Sequence, residues 1–169
     1  MSKMIEAFNE QIKNEFYSAY MYLAMSAYLA DAGLPGFASW MRVQAKEEVT
    51  HATKMYDYVL SRGGKVVLKA IDMPPAEWKG PLDVMQAALQ HEKFVTSCLN
   101  ELTDLAIKEK DHASQIFLSW YITEQVEEEQ QFGDIVSSLK LINGEGQGLL
   151  MMDRELGGRT FVDETVPAN

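Results

Sequence analysis

The chain has 169 residues, the usual length of one domain and enough to bury a substantial hydrophobic core. Its formal net charge of -10 excludes nucleic acid as an expected partner, and no apolar run reaches the roughly 20 residues that span a membrane. The only cysteine, Cys98, excludes an internal disulfide, and the N-terminus lacks a basic and apolar leader, so we expect a cytoplasmic protein.

Hydrophobic periodicity predicts four long helices, a short fifth helix and no strand. Gly33 ends the first helix, Pro35 begins the second, and the run 62–64 (Arg-Gly-Gly) ends it. Pro81 begins the third helix, and Asp111 is the expected N-cap of the fourth. We expect a single domain over residues 1–169, with helices over about 2–32, 35–61, 81–109, 112–142 and 148–156.

The connection between the second and third helices decides the topology. Residues 65–80 have no strong hydrophobic period and are too many for a tight antiparallel turn. Helices of about 28 residues are about 40 Å long, a distance that extended chain at roughly 3.3 Å per residue covers. The sequence therefore predicts an all-α four-helix bundle with one long crossover.

Each long helix carries a carboxylate on the stripe that is predicted to face inward. These residues are Glu15, Glu48, Glu92 and Glu128. His51 lies three residues after Glu48, so the two share a helix face and could hold one metal ion between them.

Four buried carboxylates repel one another unless something neutralises them. Two divalent or trivalent cations would account for all four residues together, and oxygen-rich sites with one or two imidazoles suit iron or manganese. The alternative is that each carboxylate is satisfied separately, with Glu48 and His51 forming an ordinary solvent-facing or buried pair.

Four segments together carry a specific resemblance to a known family. They are residues 14–23, 47–52, 91–92 and 120–129. With them, the chain resembles the non-haem ferritins of bacteria and archaea over nearly its whole length. The resemblance implies a ferritin-like four-helix bundle with a short fifth helix, assembled into a cage of twenty-four subunits. Such a protein is a ferroxidase: it oxidises Fe(II) with dioxygen or hydrogen peroxide and stores ferric mineral, serving iron storage and detoxification.

The resemblance also implies roles for individual residues. The first iron would be held by Glu15, Glu48 and His51. Glu48 would bridge to a second iron, which Glu92 and Glu128 would complete. The near neighbours of this di-iron centre would be Tyr22 and Gln125. An additional, third iron site would be formed by Glu47, Glu124 and Glu127, with Glu128 shared or adjacent.

Two positions set the chain apart from the haem-containing bacterioferritins. Those relatives carry a second Glu-xx-His motif on the fourth helix, where this chain has Gln125 and Glu128. They also place a haem-binding methionine directly after the bridging glutamate, where this chain has Val49. An isopropyl group cannot ligate iron, so we expect no haem.

Two other classes of function remain open at this point. One is a di-iron oxidase or peroxidase of the wider ferritin-like group that handles oxidants without storing mineral. The other is a helical scaffold without a metal. The fifth helix and the extra acidic residues favour storage, by resemblance. His91 and His112 show no partner pattern, and we expect both to be exposed.

Overall fold

The computed structural model describes residues 2–163 and residue 165, and all of its regular structure is helical. The five helices are α1 (Lys3–Asp31), α2 (Pro35–Ser61), α3 (Pro81–Lys108), α4 (His112–Leu141) and α5 (Gly146–Leu156). Within the described residues there is no strand, which confirms the all-α prediction. The observed and predicted helices differ only at their ends, where assignments commonly vary.

Side chains and a glycine fix the helix ends. The hydroxyl of Ser2 accepts a hydrogen bond from the backbone N–H of Ile5 at the start of α1. Asp111 caps α4 as predicted, since its carboxylate accepts from the N–H of Ser114 at 3.1 Å. Gly33 follows α1 with a φ of 79°, a left-handed conformation that glycine adopts without strain.

The crossover between α2 and α3 runs along the length of α1. Near the start of α1, Asn9 donates to the carbonyl of Lys65 and accepts from the N–H of Val67, both at 3.0 Å. Near its other end, the hydroxyl of Tyr28 donates to the carbonyl of Trp78 at 2.7 Å. The pairs α1–α2 and α3–α4 are therefore joined lengthwise by the crossover, as the sequence predicts.

The bundle interior is divided into two apolar clusters. One surrounds Phe8, Met55 and Leu99, and the other surrounds Met25 and Met85. Both clusters receive residues from all four long helices. The buried glutamates of the four helices fall between them in the sequence, so a polar layer lies in the middle of the core.

The short helix α5 packs against the beginning of α2. The carboxylate of Asp153 accepts a hydrogen bond from the N–H of Phe37 at 2.9 Å. Gly36 permits this approach, because a Cβ at that position would lie 1.6 Å from the carbonyl oxygen of Asp153. Among the described residues, none of the helices is long and apolar enough to cross a membrane.

Candidate metal centre

The polar layer brings the predicted ligands into two groups that share one residue. In the first group, Glu15, Glu48 and His51 each offer a ligand atom within 4.8 Å of the others. In the second group, Glu48, Glu92 and Glu128 do the same. All five side chains are buried. Glu48 therefore lies between two sets of donors. One set comes from α1 and α2, and the other comes from α3 and α4.

Glu48 has a polar contact on either side along its own helix. Its Oε2 lies 3.3 Å from Nδ1 of His51, one turn later. Its Oε1 accepts from the side-chain amide of Gln44, one turn earlier, at 3.2 Å. The same amide donates to Oε2 of Glu128 at 2.6 Å, so Gln44 links α2 to α4 within the site.

Glu92 accepts a hydrogen bond on each of its carboxylate oxygens. The hydroxyl of Tyr22 donates to Oε1, and the amide of Gln125 donates to Oε2 at 2.9 Å. Tyr22 is fully buried and Gln125 is 4 % exposed. The two predicted neighbours thus hold Glu92 from α1 and α4, and its carboxylate has a fixed orientation.

The carboxyl groups of the polar layer are more basic than usual. Burial raises the pKa of Glu15 to about 8, and the carboxylate of Glu48 adds to the rise. Burial, with the charge of Glu92 adding to it, also raises the pKa values of Glu48 and Glu128. Burial likewise raises the pKa of Glu92, although Tyr22 and Gln125 counteract it. A cation at this position would stabilise the ionised carboxylates, which water no longer solvates.

The residues predicted for an additional site lie beside this layer. Glu47, Glu124 and Glu127 line one small cavity of about 20 Å³, together with His51 and Glu128. We call Glu47, Glu124 and Glu127 the outer cluster, and Glu15, Glu48, His51, Glu92 and Glu128 the inner site. Within the part of the chain that the structure describes, the outer cluster is not among the groups whose ligand atoms converge within 4.8 Å.

Three partners of these residues were not predicted from the sequence. Gln11 donates to Oε1 of Glu15 at 2.8 Å, and Gln44 binds Glu48 and Glu128. Both glutamines precede their glutamate by four residues, and this spacing could have revealed them. Arg159 donates to Gln44 and to Glu47 from the segment after α5. No local pattern indicates that contact, because more than a hundred residues separate the partners.

The expectation that His91 is exposed is wrong, whereas His112 is exposed as predicted. His91 is half-buried, with Nε2 2.8 Å from the hydroxyl of Ser18 and its ring 5.6 Å from that of Tyr17. Burial lowers the pKa of His91 to about 4. The histidine precedes Glu92 and packs against α1, which a search for ligand partners alone does not detect.

The donor chemistry of the inner site suits a pair of hard cations. It offers four carboxylates and one imidazole, the mixture that iron and manganese accept. Carboxylates from all four long helices, arranged around one bridging residue inside the bundle, are typical of the two-metal carboxylate proteins of this architecture. Fold and site together therefore define the class: a ferritin-like helical bundle with a buried, carboxylate-rich group of residues that could hold metal ions.

Comparisons with known proteins identify the family. The ferritin family, described as the ferritin-like domain, matches residues 5–142, and the chain belongs to it. It is 41% identical to a bacterial non-heme ferritin of Bacteroides fragilis over 93% of this chain and 98% of that one. It is 38% identical to a probable bacterial non-heme ferritin-like protein of Haemophilus influenzae, over 91% of this chain and 93% of the relative.

Solved structures agree with this assignment. An open-pore ferritin from the hyperthermophilic archaeon Archaeoglobus fulgidus is 49% identical and superimposes with a TM-score of 0.93. The alignment covers 95% of this chain and 99% of that one. A form of the same ferritin engineered to be closed gives a TM-score of 0.94 at 49% identity, over 96% and 99% of the two chains.

Proposed function

We propose that this protein oxidises Fe(II) at the inner site and stores the ferric product inside a multi-subunit cage. One observation carries the proposal: Glu48 belongs to two groups of buried ligands at once, which is the arrangement that two neighbouring metal ions require. The family and its relatives, several of them named bacterial non-heme ferritins, support the same activity.

Iron is the substrate in this proposal. Glu15 and His51 hold one Fe(II), Glu92 and Glu128 hold a second, and Glu48 bridges them. Each Fe(II) gives up one electron. With two protons, the two electrons reduce dioxygen to hydrogen peroxide, or hydrogen peroxide to two waters. Tyr22 and Gln125 fix the carboxylate of Glu92, so that its oxygens are in place before the ion arrives.

Exposed apolar side chains support self-association. Leu150 and Met151 on α5 are 56% and 71% exposed, and Tyr20 and Leu23 on α1 are also about half exposed. Apolar surface of this kind on a monomer marks sites of contact with other chains. We propose a cytoplasmic cage of twenty-four subunits, as the resemblance to the non-haem ferritins implies.

We propose two further properties, one of the outer cluster and one of Val49. The outer cluster binds a third iron, since it lies against Glu128 and His51 but belongs to neither of the two inner ligand groups. The protein binds no haem, because Val49, at 42% exposure on α2, offers no ligand atom on that face. Purified protein is expected to lack the Soret absorption of haem and to gain none when haem is added.

Aerobic iron loading tests storage. Many equivalents of Fe(II) per subunit are added to the metal-free protein, and the products are separated by size-exclusion chromatography with iron detection. We expect iron to elute with a particle of about half a megadalton. A parallel sample without protein shows where freely precipitated iron runs. Rapid Fe(II) oxidation by a small oligomer that retains no iron would instead identify an oxidase or peroxidase.

A further inference from the structure

The segment after α5 carries a cation to the edge of the metal centre. Docking of α5 through Asp153 and Gly36 fixes where this segment begins, beside the first turn of α2. Gly157 also lies against α2, since a Cβ there would be 3.2 Å from the Cα of Gly36. Two residues later the chain presents Arg159, which is partly buried.

Arg159 contacts three residues that lie on one face of α2. Its guanidinium carbon is 4.3 Å from the centre of the Trp40 ring, a cation–π contact. Its Nη1 donates to Oε1 of Gln44 at 2.8 Å, and its Nη2 donates to Oε2 of Glu47 at 2.6 Å. The side chains of Arg159 and Glu47 are 18% and 14% exposed, so water screens this ion pair only partly.

Gln44 connects this cation to the inner site. Because its amide oxygen accepts from Arg159, its NH₂ group points the other way, toward Glu48 and Glu128. One guanidinium thus binds a carboxylate of the outer cluster directly and reaches two inner carboxylates through a single amide.

A metal ion and the guanidinium cannot both bind the outer cluster with full affinity. They carry charges of the same sign and would compete for the Glu47 carboxylate. The cavity beside Glu47 has room for little more than one water molecule. Because Arg159 lines the same cavity, an ion bound by Glu47, Glu124 and Glu127 would repel the guanidinium and weaken its bond to the Glu47 carboxylate.

We propose that Arg159 is a tethered counter-ion that competes with Fe(II) for Glu47 and so weakens metal binding at the outer cluster. It neutralises Glu47 while the cluster is empty and leaves it when an ion enters. The consequence is an order of filling: Fe(II) occupies the inner site first and the outer cluster second. The inference rests on the proposed function, because it takes the inner site to be the metal pair.

Zinc binding to the assembled, metal-free protein tests the competition without any oxidation. Calorimetric titration with Zn(II) compares the unmodified protein with Arg159→Gln and with Arg154→Gln. Arg154 is exposed on α5, so its replacement removes the same charge five residues away. We expect Arg159→Gln to raise the affinity of the outer cluster about tenfold, since a hydrogen-bonded charge pair is lost. Arg154→Gln should leave the affinities of both the outer cluster and the inner site unchanged.

Fluorescence of Trp40 gives a second readout that does not depend on the Arg159 variant. In a Trp78→Phe, Trp120→Phe background, Trp40 is the remaining tryptophan. When Zn(II) fills the outer cluster, release of the guanidinium from the ring should change the Trp40 emission. The change should be absent when Glu124→Gln and Glu127→Gln are added, although Zn(II) still binds the inner site.

The possible results distinguish an error about Arg159 from an error about the proposed function. Unchanged or weaker Zn(II) affinity at the outer cluster of Arg159→Gln overturns the role of Arg159, and so does a constant Trp40 emission while that cluster fills. Failure of Zn(II) to bind the inner site in any of these proteins would instead count against the proposed function.

Discussion

The hydroxyl of Tyr22 on α1 donates a hydrogen bond to the carboxylate of Glu92 on α3, inside the polar layer of the bundle. Burial, followed by the nearby charges of Glu92 and Glu48, raises the pKa of Tyr22 well above its usual value. The phenol therefore stays protonated at neutral pH and remains a hydrogen-bond donor. This hydrogen bond joins α1 to α3 at the candidate metal centre, and the one from Gln44 to Glu128 joins α2 to α4.

Replacing Tyr22 with Phe should slow Fe(II) oxidation without preventing assembly. Glu92 loses one of its two donors, so we expect the initial rate to fall about tenfold. Stopped-flow absorbance of the ferric product measures that rate. Tyr28→Phe is the matched control, because it removes a phenol that binds the crossover carbonyl of Trp78 instead. Equal initial rates in the two variants would remove Tyr22 from the reaction.

The outer cluster should affect capacity more than the first oxidation step. We expect Glu124→Ala with Glu127→Ala to retain the fast initial phase, because neither residue belongs to the two inner ligand groups. The number of Fe(II) ions oxidised per subunit before the rate falls should decrease. Asp72→Ala with Glu77→Ala removes two exposed carboxylates from the crossover and serves as the control. Loss of the initial phase would place the outer residues in the inner site.

Asp111 should stabilise the fold in a pH-dependent way. Partial burial raises the pKa of Asp111, but hydrogen bonds from Arg62 and Ser114 outweigh it and bring that pKa below its usual value. The folded state thus favours the carboxylate, and its contribution is complete above the unfolded pKa of about 3.9. It is lost as the pH falls through the lower folded value.

Asp111→Asn should therefore destabilise the protein at neutral pH by at most about 1 kcal/mol, because asparagine caps a helix about as well as aspartate and only the ion pair with Arg62 is lost. The difference from the unmodified protein should disappear in acid. Thermal midpoints between pH 3 and pH 7, at one subunit concentration, measure it. Asp104→Asn, an exposed carboxylate of α3, is the control. A difference that persists below the folded pKa would show that the charge is not the cause.

Docking of α5 should depend on the missing side chain at Gly36. Gly36→Ala places a methyl group 1.6 Å from the carbonyl oxygen of Asp153, a contact that only displacement of one helix relieves. We expect faster proteolysis of the residues after 146 and a lower thermal midpoint. Gly133→Ala is the opposite case, because its Cβ would meet nothing within 4 Å and alanine favours helix. Identical protease sensitivity in the two variants would contradict the docking account.

The sequence predicts the bundle well because each of its signals is local. Proline and glycine mark the ends of α1 and α2, and Asp111 is identified as a cap from its own segment. The convergence of the inner-site residues could be predicted for the same reason. Each stands on an apolar stripe whose period is readable, and the four helices of a bundle must turn their stripes toward one another.

What the sequence does not reveal depends on contacts between distant segments. Arg159 reaches Glu47 only because α5 packs against α2, and nothing near Arg159 indicates that packing. The sequence around His91 predicts an exposed histidine, yet the neighbouring helix covers it with Ser18 and Tyr17. The glutamines before Glu15 and Glu48 are an intermediate case, because four-residue spacing makes each bond local.

The central claim is that Glu48 serves two metal ions at once, and the initial rate of Fe(II) oxidation in Glu48→Ala tests it most directly. Asp57→Ala, which removes an exposed carboxylate from the same helix, is measured beside it, and size-exclusion chromatography establishes that both proteins assemble as the unmodified one does. We expect the rate in Glu48→Ala to fall by more than about a hundredfold, since even residues behind a metal ligand are worth about ten- to a hundredfold. Asp57→Ala should oxidise Fe(II) at the unmodified rate. An assembled Glu48→Ala protein that retains that rate would contradict the account.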